Sequence, residues 1–171
     1  MLIKLLVGAV AAGAMSVPLA GVASADLSVS VSGSTFDDGG VSTATTSTGN
    51  LAVAFNNSTA TATTPGGFGN IAIAGFGSTA TVTGSSSLNQ VTAIDHSTAS
   101  VTNGNNNNVT ALTSSTASVT NGNNNNVWAS NHSIATVTGG DNNFATAVCG
   151  GKVVISAQSA QIVTSAPCLG V

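Results

Sequence analysis

The sequence predicts an all-β protein, a β-solenoid of about six to seven coils of roughly 18 residues, with two short strands per coil and a disulfide-bridged C-terminal cap. Three observations carry this. The block Ser97–Val109 recurs without change as Ser115–Val127, an offset of 18 residues. Within each copy, apolar and hydroxylated residues alternate at period two, as in Thr98-Ala99-Ser100-Val101-Thr102. That spacing puts successive side chains on opposite faces of a strand. The first alternating run of each copy ends in a Gly/Asn-rich turn, the chemistry of tight turns with positive φ, and the second in another polar turn.

Residues 1–25 precede the repeat and read as a cleavable signal peptide. Lys4 supplies a basic start, Leu5 to Met15 an apolar run, Pro18 a break, and Ala23-Ser24-Ala25 a small-x-small cleavage pattern. Cleavage is expected between Ala25 and Asp26. The apolar run is short for a bilayer span, so the mature chain is expected to carry no membrane span and to be secreted or held at the cell surface. No Cys follows the cleavage site, and no long apolar tail closes the chain, so neither a lipoprotein nor a GPI-type anchor is expected.

Charged residues make up only 4% of the chain, with no Arg and no Glu. After cleavage a single cation, Lys152, faces Asp26, Asp37, Asp38, Asp95 and Asp141. Nucleic-acid affinity rests on several Lys or Arg contacts to phosphate, and attraction to anionic lipid rests on the same chemistry. Neither partner is expected. A disordered chain would be poor in apolar residues and rich in charge, whereas 42% of this one is hydrophobic, much of it Ala and Val in alternation.

Residues 26–148 form the repeat domain. Copies start at Ser58, Ser78, Ser97, Ser115 and Ser133, with a weaker one near Ser42. Thr, Val, Asn and Gly are poor helix formers. An antiparallel meander of hairpins would satisfy the alternation, but near-identity at fixed spacing favours coils stacked on their own equivalents. Stacking generates columns. The residue before each second strand is Asn50, Asn70, Gln90, Asn108 and Asn126, an amide ladder running up the rod. The inward columns are Ala60, Ala80, Ala99, Ala117, Ala135 and Ala62, Val82, Val101, Val119, Val137 from the first strand, with Leu51, Ile71, Val91, Val109, Val127 from the second. At about 4.8 Å per coil the rod is roughly 30 Å long.

Residues 149–171 leave the repeat pattern and are expected to cap the exposed end of the stack. They hold the only cysteines, Cys149 and Cys168. Two cysteines in an exported chain pair by default, and closing so short a loop contributes on the order of 3 kcal/mol.

The candidate contact face is outward. Thr79, Thr81 and Thr83, then Thr98, Ser100 and Thr102, then Thr116, Ser118 and Thr120 make a flat array, and Trp128 stands in the outward column of Thr92 and Thr110. This TxTxT array resembles the ice-binding face of insect β-helical antifreeze proteins, which implies ordered water as a ligand. His96 and His132 lie two repeats apart, about 10 Å along the stack, too far to share a metal ion; they read as turn residues. Asp141 falls in the turn column of Asn105 and Asn123, and the glycine- and aspartate-rich repeat of calcium β-rolls is missing. No G-x-S-x-G occurs, and Asp95-His96-Ser97 are merely adjacent in sequence. No catalytic residue, cofactor or metal is expected.

The Ala/Thr/Asn-rich exported repeat, clearest over 97–148 and followed by a paired-Cys tail, resembles small secreted repeat proteins of unknown function from actinobacteria, mycobacteria especially. Its short strand-turn-strand units are also similar to those of curlin-type amyloid subunits, without the fixed Ser, Gln and Asn spacing of that family. The polar outward faces and the missing catalytic residues lead to the expectation of a secreted or surface-associated, non-enzymatic structural or interaction protein whose partner is a protein, a glycan or a surface. A self-assembling matrix subunit and an ice-binding protein are the alternatives.

Overall fold

The computed structural model describes residues 26–165. A hairpin of β1 (Leu27–Val31) and β2 (Ser34–Asp37) comes first. Seven coils follow, each built of two strands. They are β3 (Thr43–Thr46) with β4 (Leu51–Phe55), β5 (Thr59–Thr63) with β6 (Ile71–Gly75), and β7 (Thr79–Thr83) with β8 (Gln90–Ile94). Then come β9 (Thr98–Thr102) with β10 (Asn108–Leu112), β11 (Thr116–Thr120) with β12 (Asn126–Ser130), β13 (Ile134–Thr138) with β14 (Phe144–Val148), and β15 (Lys152–Ser156) with β16 (Ile162–Thr164). The odd strands from β3 onward form a seven-stranded parallel sheet. The even strands from β4 onward are parallel too and, with the hairpin, make a nine-stranded sheet in the order β16-β14-β12-β10-β8-β6-β4-β1-β2. The expected solenoid is the fold.

Every strand of the stack sits in register on its equivalent: Ala60 on Ala80, Ala80 on Ala99, Ala99 on Ala117, Ala117 on Ala135. The core between the two sheets is thin and is filled almost wholly by fully buried Ala and Val. The seven-stranded sheet contributes the inward columns expected of it. The nine-stranded sheet differs from expectation. Its inward columns are Ala52, Ala72, Val91, Val109, Val127, Ala145 and Ala54, Ala74, Ala93, Ala111, Ala129, Ala147. Leu51 and Ile71, expected inside, face outward in register with Gln90 and Asn108. The reason is volume. Along the body of the rod the interior is lined by Ala and Val across a narrow gap, where Leu or Ile would overpack at about 1–3 kcal/mol per site; Ile enters the core only in the last coil, at Ile155.

The head of the rod is closed differently from its body. β1 runs antiparallel to β4, and β2 antiparallel to β1. The segment before the first coil, from Leu27 through Gly40, is therefore a hairpin and its exit loop. Ser28 accepts the Ala44 N–H at 3.1 Å, and Thr46, bonded to Ser30 at 2.8 Å, accepts the Gly33 N–H. Side-chain hydroxyls thus meet the head edge of the seven-stranded sheet, where a strand would otherwise pair.

At the other end, the expected boundary at 148 moves. Lys152–Ser156 stacks on β13 and Ile162–Thr164 on β14, so residues 152–164 continue the solenoid as a last coil. Val153 and Ile155 point inward, and Ile155 is the largest fully buried side chain. Cys149 stands at the corner leading into that coil with φ of 55°. Cys168, and with it the expected bridge, lies outside the described residues, as do the signal peptide and Ala25.

Candidate contact faces

Two buried polar ladders hold the coil corners. The first precedes six strands of the nine-stranded sheet, β4, β6, β8, β10, β12 and β14. It runs through Asn50, Asn70, Asn89, Asn107, Asn125 and Asn143, all buried. From Asn50 to Asn125, each side-chain carbonyl accepts the next rung's side-chain or backbone N–H, as from Asn89 to Asn70 at 2.9 Å and from Asn107 to Asn89 at 3.0 Å. Each Nδ2 also donates to a turn carbonyl of the following coil, for Asn107 to that of Gly122 at 2.8 Å. The ladder expected from sequence was right at Asn50 and Asn70 and one residue late thereafter. Gln90, Asn108 and Asn126 are exposed first residues of their strands. The turn side of the same corner also needs glycine: a Cβ on Gly104 would strike the Gly122 carbonyl.

The second ladder was missed. Ser42, Ser58, Ser78, Ser97, Ser115 and Ser133 precede the strands of the seven-stranded sheet and are buried. Each hydroxyl accepts the backbone N–H of the next serine, at 3.0–3.2 Å. The signal was a Ser at the start of every copy, read only as a copy marker. Asp26 heads this ladder. Its carboxylate accepts the N–H of Ser42 at 2.6 Å and of Asn57 at 2.7 Å. Partial burial pushes its carboxyl up, but the N–H groups of Ser42, Asn57 and Val41 and the Ser42 hydroxyl outweigh that and hold it below the ordinary aspartate value.

The corners after the nine-stranded sheet turn through two consecutive left-handed residues: Asn56-Asn57, Phe76-Gly77, Asp95-His96, Thr113-Ser114, Asn131-His132 and Cys149-Gly150. His96 and His132 occupy equivalent places in this turn, two coils apart. His96 Nδ1 lies 2.8 Å from Asp95, with both side chains exposed. Asp141 shares a column with Asn105 and Asn123, accepting from Asn123 as Asn123 accepts from Asn105. Among the described residues no three His, Cys or Asp gather to hold a metal ion.

The outward faces are chemically unlike. On the seven-stranded sheet, Thr59, Thr79, Thr98 and Thr116 form one column, Thr61, Thr81, Ser100 and Ser118 the next, and Thr63, Thr83, Thr102 and Thr120 the third. All nine Thr and Ser residues of the expected array therefore share one face. Ile134, then Lys152 and Val154, interrupt the columns toward the tail. Trp128 does not join them. It stands in the column of Thr92 and Thr110, as expected, but that column belongs to the opposite sheet. There it is 45% exposed.

On that opposite sheet the head half is apolar. Leu51, Val53 and Phe55 stack on Ile71, Ile73 and Gly75. Phe76 meets Phe55 edge-on at 5.4 Å between ring centres. Phe68 and Leu88 extend the apolar surface around the corner, where a shallow depression lies between Leu88, Ile71 and the amides of Gln90 and Asn108. No helix among the described residues is long and apolar enough to cross a membrane. No protein-family model matches this chain, and no curated protein or solved structure is similar to it.

Proposed function

We propose that this is an exported, secreted or surface-associated, non-enzymatic structural and interaction protein, which meets its partner through the threonine lattice of the seven-stranded sheet. The observation that carries this is the in-register exposure of Thr79, Thr81 and Thr83 over Thr98, Ser100 and Thr102 on one flat face. Strand geometry spaces the rows about 4.8 Å apart and the columns about 6.7 Å apart. The ladders at both corners hold that grid rigid, so an ordered surface is met with little loss of side-chain freedom. A hydroxylated glycan surface fits this chemistry best.

The same grid supports ice binding as a second reading, since hydroxyls and methyls at fixed spacing can order water. It is most regular from Thr59 to Thr83 and less so where Ser100, Ser118 and Ile134 enter. Fibre growth is less favoured. The head of the seven-stranded sheet is met by the hydroxyls of Ser28 and Ser30, and β2 is short, exposed and ends in Asp37 with Asp38 after it, devices that blunt an edge. Export is supported by Asp26, the first residue after the expected cleavage site, which already heads the serine ladder. The bridge proposed between Cys149 and Cys168 would tie down the last coil from its corner.

The test is adsorption of the exported chain to insoluble cellulose and chitin, together with ice-crystal morphology, for the native chain and a Thr81→Lys/Ser100→Lys variant. Adsorption or ice shaping that the variant loses supports the reading and says which surface is met. No adsorption and no ice shaping by the native chain, or adsorption unchanged in the variant, contradicts it.

A further inference from the structure

The hairpin lengthens only one of the two sheets, and so only one outer face. Val29 pairs with Val53 and Phe36 with Val29, which continues the column of Val53 and Ile73 to the head of the rod; Val29 is itself buried, and Phe36 is the exposed member. The outward columns of this nine-stranded sheet hold no charged side chain; the six charges of the described chain lie at corners, at the hairpin and on β15. A large uncharged apolar patch on a rigid sheet marks an interaction surface. We propose that this face is the interface between two copies of the chain, packed face to face as two aligned sheets.

Three features select a second copy as the occupant. The first is spacing. Only another sheet repeats at about 4.8 Å per strand and interdigitates row for row, at the ~10 Å separation of stacked sheets. The second is charge. A partner bearing Lys, Arg, Asp or Glu here would bury them unpaired, whereas a second copy brings none. The third is size. Nine strands, each about 16 Å long, cover a footprint of roughly 600 Å² per copy. With the relief of the side chains, that approaches the ~800 Å² per partner of a standard interface. Apolar meets apolar over the whole sheet when the two-fold axis runs along the rod between the two sheets, which lays each strand across its equivalent in the second copy. The pairing leaves both threonine lattices outward, pointing in opposite directions, so the dimer offers two contact faces on one rigid body. This inference does not depend on what the lattice binds.

The test is sedimentation velocity of the exported chain from about 1 to 100 µM, the range of micromolar association. The expected result is a monomer–dimer equilibrium. Ile73→Asp, at a half-buried outward position, should abolish it, and the milder Val53→Thr should weaken it at least about tenfold. Thr81→Asp on the opposite face should leave it unchanged. Thermal unfolding of each variant reports whether its solenoid is retained. A native chain that stays monomeric throughout, or a dimer that survives both Ile73→Asp and Val53→Thr, overturns the proposal. A monomer that floats with phosphatidylcholine vesicles overturns it as well and assigns the face to lipid.

Discussion

Asn107 makes its side-chain hydrogen bonds inside the rod: to Asn89 at 3.0 Å, to the Gly122 carbonyl at 2.8 Å, and from the N–H and Nδ2 of Asn125. Its neighbour Asn108 is exposed. Truncating Asn107 strands several buried polar groups at once, each worth about 1–3 kcal/mol. Asn107→Ala should therefore lower the unfolding free energy by about 3–5 kcal/mol, and Asn108→Ala should change it by less than about 0.5 kcal/mol. Urea titration of both variants checks the contrast. The sequence could not make this choice. In Asn105–Asn108 and Asn123–Asn126 four identical residues compete for one inward position, and composition is silent on which turns in. The columns of Ala did hold the answer: keeping Ala54, Ala74, Ala93, Ala111 and Ala129 together places Asn89, Asn107 and Asn125 in the ladder. Thr113 shows the reverse case. A β-branched residue at φ of 54° is poorly suited to that conformation, and only its place in the stack, level with Asn131, reveals that it adopts it.

At the scale of the strand, periodicity was legible and polarity was not. LAVAF and IAIAG read as apolar throughout, and the larger residues were assigned inward by the usual rule that big hydrophobes are buried. The neighbouring coils overrule that. Ala and Val set the thickness of the gap along the whole rod, so β4 and β6 must turn their Ala inward and Leu51, Val53, Ile71 and Ile73 outward. The hairpin was not legible either, because Ser28-Val29-Ser30-Val31 alternates like any rung. Its antiparallel pairing follows from the tight return at Ser32-Gly33, both at positive φ. Asp26 joins this element to the first coil. Its carboxyl is held below its ordinary value in the folded chain, so its contribution to stability is present at neutral pH. That contribution is lost as pH falls below about 4 and through the lowered folded value. Asp26→Asn should be less stable than the native chain at pH 7, and the difference should shrink as pH falls through the lowered folded value. Denaturation midpoints of the two chains across that range check the sign.

The whole molecule was the most legible scale, since an exact 18-residue repeat leaves few alternatives to a stack. What the repeat concealed is the difference between its ends and between its faces. The last coil, Lys152–Ser156 with Ile162–Thr164, shares no sequence motif with the others; it joins the rod because Val153 and Ile155 keep the inward period. The threonine lattice lies on the sheet whose columns are as expected, whereas the outer face of the nine-stranded sheet depends on a register that differs from the one read off the Asn runs. Side-chain amide hydrogen exchange, followed by NMR on the exported chain, tests it most directly. The account predicts that the primary amides of Asn70, Asn89, Asn107 and Asn125 are strongly protected while those of Gln90, Asn108 and Asn126 exchange at the rate of free amides. Protection of Asn108 and Asn126, with Asn107 and Asn125 exchanging freely, would mean the opposite register and would contradict the assignment of the nine-stranded sheet's outer face.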